Sequence, residues 1–263
     1  MNRALRTAAA GMAAQQLNVD TIAHNLANVN TTGFKKSRAE FQDLMYQTLK
    51  AGAQSAGGNV RETNELQIGT GATPVATQKS FLQGDLQATS NPFDLAINGE
   101  GFFQVRRPDG TLAYTRDGAF KLSADGTLVT SQGYVIEPGI TITSDAESLS
   151  VSRDGVVEIT EKAGDAPTRV AQLELAKFVN VAGLKAIGNN LFVETPASGP
   201  PIVGVAGSEG FGEIHQGYLE ASNVDVVEEM VNMIVAQRAY EINSKTVKTV
   251  EDMLQMANNL KRG

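Results

Sequence analysis

The residues able to carry chemistry are few and far apart. The sequence has two histidines, His24 and His215, and no cysteine. The missing thiols exclude a disulfide framework, cysteine zinc sites, iron–sulfur ligation and thiol catalysis. Two histidines 191 positions apart make no metal-ligand cluster of their own. Asn98-Gly99-Glu100-Gly101-Phe102 is a bare Gly-x-Gly whose glutamate would repel a pyrophosphate, so it reads as a turn between strands. Ala206-Gly207-Ser208-Glu209-Gly210 approaches the serine-nucleophile elbow, but Ala206 replaces its first glycine and no histidine base is placed by the sequence. The loop from Asp117 has Ala119 and Lys121 where a calcium loop needs oxygen ligands. Carboxylates scattered through the middle read as solvated surface, although a pair for glycoside hydrolysis stays open. Lys35-Lys36-Ser37-Arg38 reads as a solvated helix end or a polar contact with a partner. No catalytic residue, cofactor, metal or small-molecule substrate is expected, and a net charge of −7 argues against nucleic acid, whose phosphates need a basic face.

The elements that would position any site divide the chain in three. Its 263 residues, 41% hydrophobic and 19% charged, suffice for about two domains. All eight prolines lie between Pro74 and Pro201, so both ends can form long helices and the middle cannot. Residues 1–50 carry six basic and three acidic groups, residues 51–222 eleven and twenty, and residues 223–263 five and six. No apolar run reaches the length of a bilayer-spanning helix. Arg3, Arg6 and the stretch Ala8 to Ala14 make a poor signal peptide, because Met12 is its one strong apolar residue.

The first segment reads as an amphipathic helix from Arg3 to Val29. Leu5, Met12, Val19 and Leu26 recur every seven residues, as do Ala8, Gln15, Ile22 and Val29, which is an a/d seam broken once at Gln15. Asn30-Thr31-Thr32-Gly33 stops it. The last segment has neither Gly nor Pro from Val224 to Leu260, and Asp225-x-x-Glu228 resembles a capping box. Val226, Met233, Tyr240, Val247 and Leu254 form one stripe. Val227, Val231, Ile234, Ile242, Met253, Met256 and Leu260 form a second, more than a quarter turn away. Ordinary core helices would also be striped. Placement at opposite ends of the chain, and few aromatics, favour pairing of the two termini as a coiled coil, leaving the second stripe for contacts between molecules.

The middle reads as β structure. Asp109-Gly110, Asp117-Gly118 and Asp125-Gly126 recur every eight residues and Asp154-Gly155 follows, each a signal for a tight hairpin turn. Residues 47–73, poor in apolar anchors, read as a loop or extended arm.

Five strings carry a resemblance. Asn25-Leu26-Ala27-Asn28-Val29-Asn30-Thr31-Thr32-Gly33-Phe34-Lys35 resembles the N-terminal signature of bacterial flagellar axial proteins, the rod and hook family. Asn91-Pro92-Phe93-Asp94-Leu95-Ala96-Ile97-Asn98-Gly99-Glu100-Gly101-Phe102-Phe103 and Tyr114-Thr115-Arg116-Asp117-Gly118-Ala119-Phe120 resemble its β domain. Leu219-Glu220-Ala221-Ser222-Asn223-Val224 and Gln237-Arg238-Ala239-Tyr240-Glu241 resemble its C-terminal signature. The length, and Phe41-Gln42-Asp43-Leu44-Met45-Tyr46-Gln47 with the arm behind it, resemble the distal-rod branch more than the proximal-rod or hook branches. His24 sits where many members have asparagine.

The resemblance implies an α+β chain. Residues 1–32 and 223–263 would be the helices of an inner coiled coil, 33–90 a connecting region with the arm, 91–204 a β-rich outer domain and 205–222 a return connection. Many copies would form a hollow helical rod around an export channel, with the arm bracing neighbours. Implied partners are further copies, proximal rod proteins, hook protein, the P-ring and L-ring bushing, the rod cap and the type III export apparatus. The implied location is the basal-body rod crossing the periplasm, reached without a cleaved signal peptide. A secreted wall-active enzyme with docking helices is the competing class, and it needs a catalytic pair that the sequence does not reveal.

Overall fold

The computed structural model describes residues 2–50, 66–142, 148–160, 167–208 and 210–260. The chain falls into two compact units. The first comprises Met1–Leu26, Ser37–Gln78 and Val226–Gly263, and the second comprises Ala27–Lys36 and Lys79–Asp225.

The first unit holds both helices. α1 spans Asn2–Ala27, an alanine-rich, proline-free stretch of good helix formers. It stops two residues short of Val29. Asn28 to Asn30 turn instead, with Thr31 N–H donating to the Asn28 carbonyl at 3.1 Å, because asparagine and threonine offer the backbone competing hydrogen bonds. α2 spans Val226–Leu260. Glu228 and Glu229 in its first turn suit the positive end of the helix dipole. Strand Ser37–Asp43 pairs with Ala72–Lys79, and Gln47–Lys50 pairs antiparallel with Leu66–Ile68. Both ends of the region read as a loop or arm are therefore laddered, which satisfies backbone groups that few side chains anchor. The centre of that region, residues 51–65, lies outside the described residues.

The second unit is β throughout. Strand Phe102–Arg106 pairs with Leu112–Thr115, Val135–Ile136 and Glu174–Lys177, and adjacent side chains along it face opposite ways. Phe103 joins the main core with Leu95, Ile97, Phe120, Ile136, Leu175 and Ile214. Phe102 joins a second cluster with Tyr114, Phe178 and Phe192. There Tyr114 meets Phe178 edge-on at 4.8 Å between ring centroids, a favoured aromatic geometry. Two short pairs complete the part that concerns function: Leu95–Asn98 with Glu213–Gln216, and Leu86–Ala88 with Tyr218–Glu220.

Three of the four Asp-Gly pairs close hairpins as read from the sequence. The turns at Gly110, Gly126 and Gly155 share one pattern, a three-residue loop whose glycine has positive φ (80°, 77° and 78°). Asp117-Gly118 is different. It turns no hairpin, and Gly118 lies against the backbone of Leu95, where an added Cβ would fall 1.6 Å from the carbonyl oxygen. That glycine is required for space and not for conformation.

Candidate functional site

The N-terminal string from Thr32 to Lys36, the Tyr114–Phe120 string and the 219–224 string meet in the second unit. Gly33, with φ 65°, donates its N–H to the carbonyl of Glu220 at 2.8 Å. Thr32 Oγ1 donates to Asp117 Oδ1 at 2.8 Å. Asn223 holds three segments together. Its Oδ1 accepts from Lys36 N–H, and its amide donates to the carbonyls of Ser80 and Leu82, all within 3.0 Å. Lys79 Nζ lies 5.0 Å from the centroid of the buried Phe34 ring.

Beneath these strings three charges are shut away from water. Lys35 Nζ contacts Glu220 Oε1 at 2.5 Å and donates to the Leu82 carbonyl at 2.7 Å. Arg116 Nη1 lies 3.3 Å from Glu220 Oε2, and Nη2 donates to the Gly99 carbonyl at 2.7 Å. The Gly84 N–H also donates to Glu220, at 2.9 Å. Burial pulls the Lys35 ammonium below the ordinary lysine pKa, against the opposing pull of Glu220. Burial acts on Arg116 in the same direction, again opposed by Glu220. The solvated reading of Lys35 is therefore wrong, since its side chain is 0% exposed. Only Glu220 carries a local signal, as the one charge in Leu219-Glu220-Ala221-Ser222-Asn223-Val224, whereas Lys35 and Arg116 each stand beside another charged residue.

In the first unit, Asn25 is buried and exchanges two hydrogen bonds with the backbone of Ser37, each 2.8 Å. It also donates to Glu229 of α2 at 3.2 Å. Further along, a Cβ on Gly11 would sit 2.9 Å from the side-chain nitrogen of Asn243. Ile22 is buried, and Leu5, Met12, Val19, Leu26 and Val29 are half-buried. On α2, Met233, Val247 and Leu254 are half-buried, whereas Val226 and Tyr240 are exposed. The buried α2 residues are Glu229, Ala236 and Val250, a seven-residue frame that the apolar pattern does not pick out. Of the other signature residues, Phe34 is buried, Asn28, Thr32, Ser222, Asn223 and Ala239 are half-buried, and Ala27, Gln237 and Arg238 are exposed. Val227, Val231, Ile234, Ile242, Met253, Met256 and Leu260, the second stripe, are all exposed, Val227 at 71% and Leu260 at 85%.

Among the described residues no three His, Asp or Glu side chains gather as metal ligands. No described helix is long and apolar enough to cross a membrane. The geometry offers a folded β unit locked by buried charge and a helix with an uncovered apolar face, which is the equipment of an assembling structural protein.

Comparison with known proteins gives the family. Residues 5–35 match the flagella basal body rod protein family, residues 96–159 the flagellar hook protein FlgE/F/G D1 domain, and residues 215–260 the flagellar basal body rod FlgEFG protein C-terminal family. The chain belongs to the flagellar basal-body rod protein family and is a structural component, not an enzyme. Within the family its likeness is to FlgG members. The FlgG rod protein of Borreliella burgdorferi is 53% identical over the full length of both chains. That of Buchnera aphidicola subsp. Schizaphis graminum is 50% identical over 95% of this chain and 96% of its own. A FlgF rod protein of Caulobacter vibrioides is more distant, 35% identical over 91% of this chain and 89% of its own.

Proposed function

We propose that the chain is the distal-rod subunit of a bacterial flagellum, polymerising through both terminal helices into a hollow drive shaft around the export channel. The observation that carries this reading is the two-sided character of α2. At about 100° per residue, the exposed stripe through Val231, Ile234 and Ile242 faces roughly away from the buried stripe through Glu229 and Ala236. An apolar face of that length belongs against another molecule, and a heterologous contact that does not close builds a helical filament.

Pairing of α1 with α2 as an antiparallel coiled coil is supported by the contacts at Gly11 with Asn243 and at Asn25 with Glu229. They are fourteen residues apart on each helix and run in opposite directions, which is two heptads of a constant register. The residues proposed for the polymer wall are Leu5, Met12, Val19, Ile22 and Leu26 on α1 and Val29 in the turn after it, with Met233, Val247 and Leu254 on the inner face of α2 and Val226 and Tyr240 beside it; they seat the two helices so that the outer stripe of α2 can meet other copies. The segment around residues 47–73 braces neighbours. Partners are further copies, proximal rod proteins, hook protein, the P-ring and L-ring, the rod cap and the export apparatus. The rod crosses the periplasm, and no signal peptide is cleaved.

The test is the pair of variants Leu26→Asp and Val247→Asp. Each should abolish assembly into rods while amide exchange in the β unit stays as in the parent. A normally assembled double variant would refute the reading.

A further inference from the structure

The buried cluster has two cations and one carboxylate. Among the described residues, Glu220 is the only acidic side chain in contact with Lys35 or Arg116. The side chains of Lys35 and Glu220 are 0% exposed and that of Arg116 is 6% exposed. Their other acceptors are the backbone carbonyls of Leu82, Ile97 and Gly99, which carry no charge, and the buried Arg116 Nε has no hydrogen-bond partner. Glu220 is also the acceptor for Gly84 N–H, and its carbonyl takes Gly33 N–H. Glu220 itself therefore joins Gly33, Lys35, Gly84 and Arg116, and the two cations carry the link on to Leu82, Ile97 and Gly99. Without it Lys35 would lose its carboxylate partner and Arg116 would keep only the weaker pull of Glu100, and buried charges are strongly unfavourable when a partner is removed but not when all members are replaced by apolar groups.

We infer that Glu220 is a closure latch: the β unit reaches its protected state only when this carboxylate joins Lys35 and Arg116. Lys35 and Glu220 are 185 positions apart in sequence. A chain threaded through a narrow channel from either end cannot close the latch until both residues have passed. The unit would thus stay unfolded and threadable through most of its transit. That use in export rests on the assembly reading above, whereas the latch itself stands or falls without it.

The test is hydrogen exchange on the full-length chain, read in Leu95–Asn98 and Phe102–Arg106. Glu220→Gln should speed the slowest amides there on the order of 100-fold. The triple variant Lys35→Met, Arg116→Met, Glu220→Met should return them to within about tenfold of the parent. Acceleration below about tenfold in Glu220→Gln would overturn the latch. So would a triple variant as fast as Glu220→Gln, since shape and not charge would then be what Glu220 supplies. Neither readout involves rod assembly, so failure of the latch and failure of the assembly reading are separable.

Discussion

Gly110 and Gly118 both follow an aspartate, eight residues apart, and alanine at each should have very different consequences. Gly110 has φ 80° and nothing within 4 Å of the place a Cβ would occupy, so alanine there bears only the left-handed backbone, about 1 kcal/mol. Gly118 has ordinary φ, but its Cβ would fall 1.6 Å from the Leu95 carbonyl oxygen and 2.7 Å from the carbonyl carbon. Backbone cannot swing aside as a side chain can. Leu95 must move, which strains its N–H bond to the Gly118 carbonyl, now 3.1 Å. The move also disturbs the core packing of Leu95, Ile97 and Phe120. A lost buried hydrogen bond and partly vacated core packing together cost about 3 kcal/mol or more. The assay is amide exchange in Leu95–Asn98, where Gly118→Ala should exceed Gly110→Ala by about 2 kcal/mol, roughly thirtyfold in rate. Equal rates in the two variants would refute the steric reasoning.

Two further predictions concern charge and stiffness. Because burial lowers the Lys35 pKa, the unfolded chain holds that proton more tightly than the folded one. The lysine's contribution to stability should therefore rise with pH between its lowered value and the ordinary 10.5, and be lost as pH falls back through that window. Urea midpoints from pH 7 to 10 should thus climb less, or fall more, in Lys35→Met than in the parent, and parallel profiles would count against it. Deleting residues 47–73 should make assembled rods bend more under electron microscopy, and unchanged stiffness would remove the bracing role from that segment.

Much of this architecture was legible because its signals are periodic. Proline placement and seven-residue stripes give both helices, and Asp-Gly pairs give three hairpins. The second stripe of α2, read as surplus to the chain's own needs, is exposed throughout. The buried frame of α2 was less legible because it is not made of large apolar residues alone. Ala236 and Glu229 are buried there, and Gly11 lies against Asn243, while Val226 and Tyr240 fall outside. The buried charges were hidden for a related reason. Lys35 sits in a basic run that looks solvated, and only pairing with Glu220, far along the chain, makes its burial tolerable. Gly118 shares its dipeptide with true turns, and nothing local separates a glycine needed for φ from one needed for room.

The most direct measurement uses the absence of cysteine. One cysteine at Ala23, on the exposed side of α1, would be paired in turn with one at Val231, Ile234 or Ile242 on the outer face of α2, all four positions being exposed. Cell envelopes would be oxidised and the products separated by size. A shaft walled by both terminal helices predicts a ladder of disulfide-linked multimers from at least one pair. Monomers alone from every pair would contradict it.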